Sequence, residues 1–136
     1  PALMFGLPAQ AATIVDGDVI TGPDKIDVFI VKLINGKMFK RLVLNTQVFA
    51  SYGHLKWENV QQVSQAVLDS YVTSDVVRMD GDTMVYRLIP DGDTGTKQWI
   101  GTAEVFLGLG YDWDMIYTIN MISIEFFNLV NLVNPV

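Results

Sequence analysis

Short runs of β-branched and aromatic residues, broken by Gly, Pro, Asn and Asp, recur along the chain. Residues 28–34 (VFIVKLI) and 85–89 (VYRLI) are the clearest strand-like runs. Each follows a shorter one, residues 18–21 and 75–78, across a turn at Gly22-Pro23-Asp24 or Asp80-Gly81-Asp82. Asn35-Gly36 is a strong two-residue hairpin signal and leads into a return strand over residues 37–44. In the second half, residues 90–95 (PDGDTG) predict a longer loop before the strand at 97–100. Asn45 or Thr46, and Thr102, are placed to cap short helices carrying Phe49 and Phe106. Gly53 and Gly110 are placed to end them. Trp57 and Trp113 fall in the loops that follow. Residues 60–63 and 116–119 then predict a strand or helical turn. Residues 64–68 favour a second short helix, whereas their counterpart at 120–127 is more β-like.

These parallels are systematic. Shifting the chain against itself by 57 positions places Asp18-Val19-Ile20 on Asp75-Val76-Val77, Val28-Phe29 on Val85-Tyr86, and Lys40 on Lys97. Gln47-Val48-Phe49 falls on Glu104-Val105-Phe106. One residue is then dropped, and at a shift of 56 Trp57 falls on Trp113, Val63 on Ile119, Leu68 on Ile124 and Tyr71 on Phe127. Character, order and spacing all persist, as expected of a duplication. The predicted fold is α+β: two tandem copies of a small antiparallel β-hairpin module with short helices, packed together. Copy one covers residues 13–71 and copy two 72–128. An apolar arm (1–12) and an apolar tail (129–136) flank them.

Half of the residues are hydrophobic and 18% are charged. That apolar surplus predicts a sizeable core and some surface covered by neighbours. Nine basic residues against fifteen acidic ones give a net charge of −6, which disfavours nucleic-acid binding. The densest basic stretch, residues 37–41, reads as a solvated strand face. The chain contains no cysteine, so disulfides and thiolate chemistry are excluded. No run of about 18 apolar residues predicts a transmembrane helix. Residues 1–12 (PALMFGLPAQAA) resemble the apolar end of a secretory signal, with Ala9-Gln10-Ala11 as an A-x-A site. Such an arm packs either on a neighbouring subunit or on its own domain.

Taken together, Asp16-Gly17-Asp18-Val19-Ile20, Val28-Phe29, Asn35-Gly36-Lys37, Phe49-Ala50-Ser51-Tyr52-Gly53 and Trp57-Glu58-Asn59-Val60 resemble a repeat of secreted and cell-surface bacterial proteins. Gly110-Tyr111-Asp112-Trp113-Asp114 is nearer still to its usual form. Such repeats are common in surface proteins of candidate-phylum bacteria and also occur beside wall-active domains. The resemblance spans roughly residues 14–128 and implies an exported surface protein without catalytic residues. Two features depart from it: Met38-Phe39-Lys40-Arg41 lacks the usual following proline, and copy two lacks the tight hairpin turn.

The residues themselves present little catalytic chemistry. His54 is the single histidine, and no G-x-S-x-G, P-loop or H-E-x-x-H motif occurs. Asp16/Asp18, Asp80/Asp82 and Asp91/Asp93 form D-G-D triplets that read as turns. A weak calcium site at Asp91 and Asp93 is the one metal alternative, short of the six to eight oxygens calcium takes. Trp57 and Trp113, equivalent in the two copies, read as core anchors. Trp99 and Tyr111 are the candidates for glycan stacking.

The expected function is therefore that of a non-enzymatic extracellular structural protein, a self-assembling subunit of a cell-surface layer or filament. Leu3, Met4, Phe5 and Leu7 in the arm, and Phe126, Phe127, Leu129, Val130, Leu132 and Val133 at the other end, are its candidate assembly contacts. The alternative is a module that binds cell-wall polysaccharide.

Overall fold

Asn35 and Gly36 both adopt positive φ (52° and 75°), as a tight hairpin turn requires. They join β2 (Val28–Ile34) to β3 (Lys37–Leu42), paired from Ile34↔Lys37 to Phe29↔Leu42. β1 (Val19–Thr21) pairs antiparallel with β2 on its other side. The chain then passes through α1 (Thr46–Ser51) and a 3-10 turn (Trp57–Asn59) to lay β4 (Gln61–Gln62) parallel to β1. After α2 (Gln65–Asp69), β5 (Val72–Thr73) runs parallel to β3.

The second half repeats this path. β6 (Val76–Met79), β7 (Val85–Asp91) and β8 (Thr94–Ile100) form the antiparallel centre. α3 (Ala103–Gly108) and a 3-10 turn (Trp113–Met115) lead to β9 (Tyr117–Ile119), parallel to β6. α4 (Met121–Glu125) leads to β10 (Phe127–Leu129), parallel to β8. This computed structural model describes residues 13–130: an α+β fold of two five-stranded mixed sheets and, among those residues, four short helices. The sheets share one strand order, β4-β1-β2-β3-β5 and β9-β6-β7-β8-β10. Their registers also agree: Val19↔Ile30 and Phe29↔Leu42 in the first stand 57 positions before Val76↔Arg87 and Tyr86↔Trp99 in the second.

Side chains cap all four helices. Asn45, Ser64, Thr102 and Asn120 accept from the backbone N–H of Val48, Val67, Val105 and Ser123. Gly110 ends α3 with φ +85°, whereas Gly53 keeps an ordinary φ after α1.

Four expectations change. The sheets are mixed rather than purely antiparallel, because two- and three-residue outer strands return parallel after helical crossovers. Strands that short carry no alternation to read. Residues 90–95 do not form a long loop; β7 and β8 continue through Pro90↔Gly95 to Asp91↔Thr94, with Gly92 at φ +63° in the turn. Pro90 is tolerated because β6 pairs only as far as Arg87, so β7 has one neighbour there. Gly95 is needed because an added Cβ would meet the Phe127 ring at 2.8 Å. Residues 121–125 are helical rather than β-like: the Asn120 cap and burial of Ser123 and Ile124 override the β-branched composition. Finally, the basic stretch is not a solvated face, since Lys40 and Arg41 are both buried.

Lys40 and Lys97 explain how the outer strands are held. Lys40 Nζ donates to the carbonyls of Leu68 (2.9 Å) and Tyr71 (2.7 Å), where α2 ends, and lies over the Phe29 ring. Lys97 Nζ donates to the Phe127 carbonyl (2.7 Å) and lies over Tyr86.

The sheets meet along a mixed seam. Phe39 of the first sheet is buried with Val77, Leu88, Tyr117 and Ile119 of the second, and Ile30 and Ile34 pack against them. The Tyr117 hydroxyl donates to the Ile30 carbonyl at 2.8 Å, and those of Tyr52 and Ser123 meet at 2.5 Å. Lys37 bridges to Asp112 (2.5 Å) and Asp114 (3.0 Å) at the exposed rim.

Burial holds the Tyr117 phenol far above its ordinary ionisation range. Unfolding frees it to ionise near pH ~10. Its contribution is therefore intact below that pH and is lost as pH rises beyond it. Denaturant unfolding at stepped alkaline pH should show the midpoint falling above about pH 10. In Tyr117→Phe the slope should be shallower, with a loss of about 1 kcal/mol at neutral pH for the missing hydrogen bond.

Candidate functional site

The surface feature that both halves build is an indole laid flat on a buried phenyl. Capping by Asn45 directs Val48 and Phe49 of α1 inward, and Phe49 is 1% exposed. The following 3-10 turn brings Trp57 over it, with ring centroids 3.8 Å apart and planes 12° apart. The second half repeats this with Phe106, also 1% exposed, and Trp113, at 4.2 Å and 11°. Trp57 and Trp113 remain 55% and 49% exposed. The expectation that they anchor the core is thus corrected: the phenylalanines are the anchors, and each indole is a lid with one face covered. Asp112 fixes the second turn by accepting from the Asp114 N–H at 2.9 Å. Lys37 holds both carboxylates below their usual range by its direct bonds to them.

Trp113 and Trp99 line one cleft of about 270 Å³. Thr83, Met84, Thr102 and Phe106 are among the other residues of its wall, so apolar faces stand beside hydroxyls. A Cβ added at Gly101 would lie 3.8 Å from the Trp99 ring, in ordinary van der Waals contact, so the ring stands over this position. Tyr111 does not line this cleft. It packs on Phe106 at 5.4 Å, with its hydroxyl 3.4 Å from the Asp75 carboxylate. The structure therefore joins Trp99 to Trp113 rather than to Tyr111.

Of the expected assembly contacts, Phe127 is buried in the core and Phe126 packs against two of its clusters. Leu129 (62% exposed) and Val130 (37%) remain on the surface at the end of β10. Leu3, Met4, Phe5, Leu7, Leu132 and Val133 lie outside the described residues. Asp91 and Asp93 are exposed at the β7–β8 turn, and among the described residues no three His, Asp or Glu side chains converge as metal ligands. His54 is exposed, edge-on to Tyr52.

A second concavity, of about 180 Å³, lies at the seam. Phe29, Leu42, Leu44, Val48, Leu88 and Phe127 form most of its wall, with Arg41, Asp75, Ser74 and Ser123 among them. Arg41 is 5% exposed, and its Nε has no hydrogen-bond partner. Sequence pattern could not find this residue. Lys40 and Arg41 are adjacent, so they point to opposite faces of β3, and nothing in the pattern shows that both faces are covered.

No family model matches the chain, and no curated protein or solved structure matches it. Among the described residues, no helix is long and apolar enough to cross a membrane.

The stack makes an asymmetric prediction. Phe106→Ala should cost about 3–5 kcal/mol, the range for a fully buried aromatic. Trp113→Ala should cost about 1 kcal/mol, because the indole contributes one stacked face. Urea unfolding of the two variants checks the difference.

Proposed function

We propose that this chain is a non-enzymatic extracellular binding module for cell-wall or related polysaccharide, built by duplication of a bacterial surface repeat. The observation that carries this reading is the pair of rigid, half-exposed indoles. A sugar ring presents a face of C–H groups, and an indole held flat by a phenyl offers it an ordered apolar surface with little side-chain freedom left to lose. In the second module, Thr83 and Thr102 stand near that surface as hydrogen-bonding partners. Matching strand order and register support the duplication.

The leading expectation from sequence, a self-assembling layer or filament, becomes the second reading. Leu129 and Val130, exposed at the end of an edge strand, favour it. Continued stacking through the seam contact is disfavoured. Where the first module presents Ile30, Phe39 and Arg41 to the seam, the matching positions of the second hold Arg87, Thr96 and Gln98. Arg87 and Gln98 satisfy each other at 2.9 Å. Across the seam, Tyr117 and Phe126 match Gln61 and Ser70. Polar outer faces of this kind end a stack of repeats.

Co-sedimentation with insoluble wall polysaccharides tests the binding reading. Trp57→Ala and Trp113→Ala should each weaken retention roughly fivefold, at ~1 kcal/mol per stacked face, and together abolish it. Unchanged retention in the folded double variant would sink the reading.

A further inference from the structure

We propose that the cavity between the two sheets binds a small organic monocarboxylate through Arg41. The argument begins with charge. A guanidinium stays protonated at any ordinary pH, so a buried arginine cannot escape its desolvation by becoming neutral. Buried charges are therefore normally paired. The sequence has fifteen acidic side chains, all within the described residues, and none lies within ion-pair distance of Arg41. Its contacts are neutral: the Tyr52 hydroxyl, 3.4 Å from Nη2, and the rings of Tyr52 and Tyr117, 5.9 and 5.6 Å from the guanidinium carbon. Among the described residues, Nε–H has no acceptor. No acidic side chain of this chain supplies the counter-charge.

The cavity tells what could bring it. Asp75 shares the wall, but its partners belong to its own sheet and the loop beside it. The Tyr111 hydroxyl faces it, and Arg87 is the cation that acts on it. Asp75 thus leaves Arg41 uncompensated. The rest of the wall is mostly apolar, so a fully hydrated ion such as phosphate is a poor occupant. A carboxylate with a compact hydrocarbon body suits both parts: the oxygens take Arg41, and the body takes Phe29, Leu44, Leu88 and Phe127. The volume of about 180 Å³ is near the roughly 150 Å³ of a cavity that holds benzene, which limits the body to about six carbons. Asp27, Thr73 and Pro90 are exposed and also line the space, so they mark its mouth. The inference is independent of the polysaccharide reading, since neither Trp57 nor Trp113 lines this cavity.

Sodium hexanoate, with 1-hexanol as its uncharged counterpart, provides the test by calorimetry and thermal melting of the full chain. Hexanoate should bind saturably at one site and raise the melting temperature. Hexanol should bind at least tenfold more weakly. Leu44→Phe, which narrows the cavity and keeps Arg41, should abolish hexanoate binding, as should Arg41→Met if that variant folds. Absence of hexanoate binding to the native protein overturns the proposal, as does equal binding of hexanol or undiminished binding in folded Leu44→Phe.

Discussion

A sheet of five short strands backed by short helices encloses only a small core of its own. Each half of this chain has about sixty residues, and at that size a domain buries only about 60% of the surface of its unfolded chain and is marginal alone. The two sheets resolve this by closing on each other. Phe39, Ile30 and Ile34 of the first meet Val77, Leu88, Tyr117 and Ile119 of the second. The hydroxyls of Tyr117, Tyr52 and Ser123 satisfy polar groups that this closure takes from water. The seam is therefore specific as well as apolar: sliding one sheet along the other would break the Tyr117–Ile30 and Tyr52–Ser123 hydrogen bonds together.

That closure decides what stays outside. The seam covers one face of each module and, among the described residues, the matching positions of the other module carry polar side chains such as Arg87, Thr96 and Gln98. The indoles of Trp57 and Trp113 stay exposed, each supported by a phenyl of its own module. Core and exposed indole are thus coupled by one contact per module. The phenyl belongs to the core, and the indole is as rigid as the core beneath it. The same closure places Arg41 where no acidic side chain of the chain reaches it.

Much of this was legible in the sequence, because the relevant signals are local. The Asn35-Gly36 turn, the strands at β2 and β7, the Asn45 and Thr102 caps, and the recurrence at 57 positions are all read from neighbouring residue types and fixed spacing. What escaped depends on tertiary context. A Trp beside a turn looks the same whether it fills a core or covers one, so the exposure of Trp57 and Trp113 was hidden. Two-residue strands have no period, so the parallel edges were hidden too. α4 was masked by its isoleucines, and Arg41 by the assumption that charge lies in water. In the candidate site, the sequence suggests Trp99 and Tyr111 together, whereas Trp113 shares the Trp99 cleft and Tyr111 is turned toward Asp75.

On the proposed function, the two supported indoles are the contact surface for polysaccharide. The chain has three tryptophans, so a proton–nitrogen NMR spectrum carries three indole N–H signals, one for each. Titration with soluble wall-glycan fragments, after assignment by single Trp substitution, reads each platform separately. The Trp113 and Trp57 signals should shift saturably, with Trp99 following Trp113 because they share a cleft. Glycan binding detected by calorimetry while all three signals stay fixed would contradict the proposed function.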